Sequence, residues 1–201
     1  MEENQSAYYG QYYIPLQNLE QEILQWLRKL VDAYAKQAGE TPVEHIRSRI
    51  KTAEGMQEKL HKKGFETTAD FALANVSDIV GFRLVTHFVG EVYDIVERMK
   101  QDGTFRVVKE KDYIANPKPN GYRSLHLTIR LPVFFAEKEV HVPVEIQLRT
   151  IAMDFWASLE HTIRYKKNLP INTEIETELK ECADSSREWD SKMEHLLHIL
   201  T

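Results

Sequence analysis

Two short stretches of strict alternation constrain this chain most. In residues 124–131, Leu125, Leu127, Ile129 and Leu131 alternate with Ser124, His126, Thr128 and Arg130, and in residues 144–149, Val144, Ile146 and Leu148 alternate with Glu145, Gln147 and Arg149. Successive side chains of a strand point to opposite sides, so each stretch reads as a strand with one apolar and one polar face. Residues 132–139 between them read as a turn, which makes the pair an antiparallel hairpin. If the two share a sheet, His126, Glu145, Gln147 and Arg149 gather on one face, above a loop over residues 112–123 that is rich in Lys, Asn, Gly and Tyr. That composition suits a nucleotide site. An antiparallel pair with one face in solvent gives the same alternation, but it does not require a Gly-Tyr pair after a Pro-rich turn.

Elsewhere the patterns are mostly helical. Leu19, Ile23, Leu27, Leu30 and Tyr34 recur at helical spacing up to Gly39, a suitable stop. The preceding residues carry Tyr8, Tyr9, Tyr12 and Tyr13, for which a partner surface and the chain's own domain are equally good destinations. Thr41-Pro42 reads as the start of a second helix with Val43, Ile46, Ile50, Ala53 and Leu60 as its buried stripe. On such a helix Arg49 and Lys51 diverge by roughly 200°. Residues 64–77 read as a turn and short helix. Residues 78–88 are β-rich enough for a central strand, with Gly81 admitting a close backbone neighbour. A helix over residues 91–101 and a strand over 105–113 then complete a βαβ-type order.

Residues 151–167 predict a helix with Phe155, Leu159 and Ile163 on one face, broken at Asn168-Leu-Pro170. Beyond it, Ile175, Leu179, Cys182, Ser186, Trp189, Met193, Leu196 and Leu200 step alternately by four and three. A heptad stripe of this length predicts pairing with another helix, either residues 16–34 of the same chain or a counterpart in a second subunit. The expected class is α+β, a mixed sheet with helices packed on it and amphipathic helices at both ends. Its expected parts are residues 1–41, a catalytic unit at 42–168, and an oligomerising helix at 169–201.

The loop and strands, Tyr113-Ile-Ala-Asn-Pro-Lys-Pro-Asn-Gly-Tyr-Arg-Ser-Leu-His126 and Val144-Glu-Ile-Gln-Leu-Arg-Thr150, resemble the two signature segments of the RelA/SpoT-type alarmone synthetases. At this length the chain resembles the single-domain small alarmone synthetases, the likeness covering roughly residues 43–167. The resemblance implies a nucleotidyltransferase-like core that moves the β,γ-pyrophosphoryl group of ATP to the 3′-hydroxyl of GDP or GTP, releasing AMP. It implies that Arg49, Lys51, Lys59 and Arg83 bind ATP. It implies acceptor binding by Lys111, Lys118, Asn120, Tyr122, His126, Gln147, Arg149 and Ala157, with Tyr122 stacking on guanine. Asp78 and Glu145 match the metal-associated acids and are the expected catalytic residues and Mg²⁺ ligands, since this chemistry uses a divalent ion held by carboxylates. The alternative for these acids is simple ion pairing with Arg83 or Arg149. Gly55 departs from the family, which often has a serine there. The resemblance also implies a homotetramer.

Other classes are disfavoured. A net charge of −5 argues against general nucleic-acid binding. The single cysteine, Cys182, excludes an intrachain disulfide and a thiolate zinc cluster. No apolar run reaches membrane-spanning length and the first residues lack a signal-peptide pattern, so a cytoplasmic protein is expected. The sequence has no Gly-x4-Gly-Lys-Ser/Thr loop, no Gly-x-Gly-x-x-Gly fingerprint and no His-Glu-x-x-His motif. It also has no His-Asp dipeptide, so synthesis without hydrolysis is expected. The rival from another class is a catalytically silent nucleotide sensor of the same fold.

Overall fold

The structure, a computed structural model, describes residues 2–135, 138–165 and 172–200. Five strands form one mixed sheet in the order β1-β2-β5-β4-β3. They are β1 (Val43–Ile50), β2 (Val80–Thr86), β3 (Val107–Asp112), β4 (Leu125–Phe135) and β5 (Lys138–Thr150). β2 and β5 are parallel, and the other neighbours are antiparallel. The expected α+β class and antiparallel hairpin are therefore present. The hairpin's strands run further than the sequence suggests, to a Phe135↔Lys138 pair, so most of residues 132–139 is strand rather than turn. Alternation continues through them, with Leu131, Val133 and Phe135 buried and Pro132 and Phe134 exposed.

One face of the sheet is apolar and carries the core. Phe82, Leu84, Leu125, Leu127, Ile129, Val144, Ile146 and Leu148 are buried there with the inner stripes of α2 (Tyr13–Ala38) and α5 (Val89–Asp102). α2 supplies Leu16, Leu19, Ile23, Leu27 and Val31, and α5 supplies Val92, Ile95, Val96 and Met99. Fully burying one such side chain contributes about 1.5–3 kcal/mol, so this face holds the layers together. α2 ends as expected at Gly39, whose φ of 85° suits a residue without Cβ. It begins earlier than expected, at Tyr13, because Pro15 falls in the first turn, where its missing N–H has no helical partner. The N-terminal tyrosines go to the chain's own domain. Tyr9 is buried on α1 (Glu2–Tyr9) and its hydroxyl donates to the Lys51 carbonyl at 2.7 Å. Tyr12 donates to Asp70.

The helix expected from Thr41 is instead strand β1, and the helix starts at α3 (Ala53–Lys62) with Thr52 as its cap. A bulge between Val43 and His45 explains the misleading spacing. It shifts the alternation by one residue, so apolar positions 43, 46 and 50 fall at three- and four-residue intervals although the backbone is extended. In a strand, Arg47 and Arg49 share a face; the helical divergence expected between Arg49 and Lys51 does not apply, because β1 ends at Ile50 and Lys51 lies beyond it. Gly81 also has a different role from the one expected. A Cβ there would meet nothing within 4 Å, so the glycine keeps space open and does not admit a backbone.

α4 (Ala69–Asn75) occupies the expected short helix. β2, α5 and β3 form the expected strand-helix-strand crossover, but β5 and β4 lie between the two strands, and β5 rather than β2 is central. α6 (Ile151–Tyr165) follows β5 directly, with Met153 and Trp156 buried and Ile151, Phe155, Leu159 and Ile163 exposed. α7 (Thr173–Leu200) packs on α6 rather than pairing with residues 16–34. It buries Leu179, Ala183, Ser186 and Asp190, whereas Trp189, Met193, Leu196 and Leu200 of the heptad stripe are exposed. The break expected at 168–170 lies outside the described residues.

Candidate active site

The polar face of the sheet is organised by register. One row across the strands reads Arg49, Gly81, Glu145, Thr128 and Lys109, and the next reads Arg47, Arg83, Gln147, His126 and Lys111. Residues from all five strands thus stand side by side because paired residues share a face. The alternation in β4 and β5 gave the centre of these rows. The bulge in β1 gives Arg47 its place, and a second bulge between Val107 and Lys109 in β3 gives Lys109 and Lys111 theirs.

Asp78 and Glu145 line the same cavity of about 230 Å³, together with Arg47, Ser48, Arg49, Gly81, Arg83 and Gln147. Asp78, just before β2, receives Lys51 Nζ at 3.0 Å and Lys59 Nζ at 2.5 Å. Burial pushes its carboxyl up, but these two ammonium groups outweigh burial and hold it below the ordinary aspartate value. Glu145 accepts from Gln147 Nε2 at 2.7 Å and lies 3.4 Å from His126 Nδ1. Burial raises its carboxyl too, with Asp78 adding repulsion; His126 and Gln147 reverse the sign, and the group sits below the ordinary glutamate range. Neither acid is taken up by Arg83 or Arg149. Both arginines go to Asp154 Oδ1 of α6, at 3.0 and 3.3 Å. Burial and the neighbouring Arg149 charge lower the pKa of Arg83, and Asp154 offsets part of this.

Glu145 also borders a second cavity, about 440 Å³, lined by Lys109, Lys111, His126, Thr128 and Arg130. Beside it, Arg149 Nη2 donates to the Tyr122 hydroxyl at 2.6 Å and to Gln147 Oε1 at 3.1 Å, and the Tyr122 hydroxyl meets His126 Nε2 at 2.8 Å. The ring of Tyr122 is therefore fixed by its polar tip. Lys118 Nζ lies 4.8 Å from the centroids of both Tyr122 and Tyr113. Asn120 accepts the Tyr122 N–H at 3.2 Å and donates to Glu160 of α6 at 3.3 Å. Ala157 lies on the α6 face between Asp154 and Glu160, at the spacing that places all three on one side.

The structure thus gathers Arg49, Lys51, Lys59, Arg83 and Asp78 on one side of Glu145, and Lys111, His126, Gln147, Arg149 and Tyr122 on the other. Arg47, Lys109, Arg130, Asp154 and Glu160 also border the site and were not among the expected residues. For Asp154 the available signal was an acid in the first turn of a helix directly following a site strand. Gly55 caps nothing beyond its own helix: its N–H bonds Thr52 Oγ1 at 3.2 Å, and a Cβ would lie 3.0 Å from that oxygen.

Residues 48–169 match the family model described as a region found in RelA / SpoT proteins. The chain belongs to the RelA/SpoT family. It is 47% identical over 155 residues to GTP pyrophosphokinase YwaC of Bacillus subtilis, covering 77% of this chain and 74% of that protein. It is 30% identical over 185 residues to GTP pyrophosphokinase YjbM of the same organism, covering 92% and 86%. Among solved structures, small alarmone synthetase 1 from Bacillus subtilis, bound to its product pppGpp, superposes with a TM-score of 0.85 at 29% identity, over 94% of this chain and 96% of that one. The synthetase 2 structure from that organism gives 0.77 at 39% identity, over 93% and 98%. Their shared fold agrees with the mixed sheet and flanking helices described above.

Proposed function

We propose that the chain is a GTP/GDP pyrophosphokinase that transfers the β,γ-pyrophosphoryl group of ATP to the 3′-hydroxyl of GDP or GTP, forming (p)ppGpp and AMP. One observation carries the assignment of roles. Two carboxylates from separate strand regions, Asp78 and Glu145, face one cavity walled by arginines, and Glu145 also borders a second basic cavity.

On the donor side, Arg47, Arg49 and Arg83 supply the positive charge that a triphosphate requires, and Lys51 and Lys59 keep Asp78 ionised. On the acceptor side, Tyr122 offers an aromatic face to guanine, Asn120 and Gln147 contribute polar contacts, and Lys111, Lys118, His126 and Arg149 supply charge. Ala157 lets the acceptor approach α6 closely. The transfer itself breaks the bond between the β-phosphorus and the oxygen it shares with the α-phosphate, and forms one to the 3′-oxygen; the protein's work is positioning and charge stabilisation. Glu145 borders both cavities, where its carboxylate is placed to orient the 3′-hydroxyl or to take its proton.

The donor set also fits Mg²⁺, which takes one or two carboxylates and completes its shell with phosphates and waters. No cluster of three or more His, Cys, Asp or Glu occurs among the described residues, so Asp78 and Glu145 would hold the ion with substrate oxygens. When bound, it neutralises phosphate charge. The exposed Trp189, Met193, Leu196 and Leu200 on α7 support a homo-oligomer, read as a tetramer. Residues 42–168 are taken as the catalytic unit between helical ends, in a cytoplasmic enzyme without hydrolase activity.

Incubation with ATP, GDP or GTP and Mg²⁺, resolved by anion-exchange chromatography, should yield AMP and a 3′-pyrophosphorylated guanosine nucleotide in equal amounts, and chelation should stop it. Nucleotide binding without either product would favour the silent sensor. Light scattering should give a mass above the 23.5 kDa monomer at micromolar concentration.

A further inference from the structure

The loop bearing Tyr122 is held from behind by α7. Gly121 has φ of 86°, and a Cβ on it would lie 2.4 Å from Ala183 Cβ and 3.2 Å from Lys180 Cδ, so loop and helix are in direct contact. The next residue but one, Arg123, points away from the site. Its Nη2 donates to Asp190 Oδ2 at 2.6 Å, with Ser186 Oγ at 3.5 Å, and both charged side chains are nearly inaccessible, at 6% and 5% exposure. Two charges are removed from water here, a cost that only close mutual contact offsets. The role assigned to the acceptor site uses neither of them.

α7 is tied to α6 independently. Trp156 Nε1 donates to the Leu179 carbonyl at 2.8 Å, and Ser186 Oγ donates to the Ala152 carbonyl at 3.0 Å. Loss of the Asp190 charge would leave α7 seated on α6 while releasing Arg123, one residue from Tyr122. On the front of the loop, Tyr122 is oriented by Arg149 and His126; on the back, Arg123 pairs with Asp190 of α7. On the donor side, Arg83 of β2 pairs with Asp154 of α6 instead.

We propose that Asp190 is a positioning residue for the acceptor nucleotide: its buried ion pair with Arg123, seated against the Gly121–Ala183 contact, fixes the loop that presents Tyr122. This rests on the acceptor-site assignment above. The C-terminal helix thereby becomes part of guanosine recognition without touching the nucleotide.

The test is steady-state kinetics on the full chain with ATP and GDP, varying each in turn, together with GDP titration by calorimetry. Asp190→Asn should raise the GDP KM about tenfold or more and weaken GDP binding in parallel, with the ATP KM within about twofold, because breaking a buried pair frees one side only. Asp190→Glu, which keeps the charge, should recover most of the loss. An unchanged GDP KM in Asp190→Asn, or equal rises in both KM values, overturns the proposal. Should Asp190→Asn fail to fold, Arg123→Lys takes its place: the paired charge is kept and the fork geometry lost. It should raise the GDP KM alone, by about threefold or more, and an unchanged value overturns the proposal. Tyr122→Ala separates this inference from its foundation. A raised GDP KM there with no effect at Asp190 defeats the positioning role only, whereas no effect at Tyr122 defeats the acceptor-site assignment and the inference with it.

Discussion

Replacing Glu145 by Gln separates chemistry from stability more sharply than any other single change in this site. The substitution keeps the side chain's shape and removes its charge. Lost are the charge in the 2.7 Å bond from Gln147 and the 3.4 Å contact with His126. Relieved are the cost of burying a carboxylate and its repulsion by Asp78, both of which raise its pKa. A charge-assisted bond is about twice as strong as a neutral one, and the relieved terms act in the other direction, so the net cost to folding is about 1 kcal/mol. For a domain of this size that lowers the thermal midpoint by about 2–4 °C. Turnover should fall far more, by about 10³-fold, which corresponds to about 4 kcal/mol of transition-state stabilisation. The assays are AMP release under saturating ATP, GDP and Mg²⁺, and a melting curve of the same preparation. Residual turnover above about a hundredth of the parent would refute a direct role, since removing a group that touches the reacting atoms costs at least about 10²-fold. A midpoint drop as large as the one expected at Asp78 would show that the residue is mainly structural.

Asp78→Asn should behave differently, because it leaves the Lys51 and Lys59 ammonium groups without their shared carboxylate. The cost is about 2 kcal/mol for this partly exposed cluster, and a midpoint about 4–8 °C lower should accompany lost turnover; an unchanged midpoint would contradict the pairing of Asp78 with Lys51 and Lys59. Tyr122→Ala should raise the GDP KM about 10- to 100-fold by removing a stacking surface, whereas Tyr122→Phe should keep the surface and lose only the anchoring by Arg149 and His126; equal effects would exclude stacking. Asp78 and Glu145 both titrate below their ordinary values of 3.8 and 4.5. The stability they contribute is therefore fully present above those values and is lost as pH falls through the lower, folded-state values, so denaturant midpoints should be insensitive to these groups near neutrality and decline below about pH 4. Glu145→Gln should flatten part of that acid decline, and an identical acid limb in parent and variant would show that the carboxyl is not depressed.

Sequence patterns located the centre of the site because alternation in β4 and β5 is a local property. His126, Glu145 and Gln147 fall on one side of their strands whatever lies next to them, and the loop ending in Gly121-Tyr122 announces itself by composition. The stop of α2 at Gly39 was equally local. Alternation failed in β1, where one bulge converted an extended segment into three- and four-residue apolar spacing and made a strand look like a helix.

What folding alone decided was which distant residues meet. Asp154 accepts Arg83 from β2 as well as its near neighbour Arg149, and Arg123 finds Asp190 on a helix 67 residues away. No spacing encodes the Arg83–Asp154 or Arg123–Asp190 pair, because both depend on strand order, register and the packing of α6 and α7. The chain by itself determined the faces of its elements through backbone periodicity; only tertiary packing determined which charge neutralises which, since ion pairing follows distance in space and burial rather than separation along the sequence.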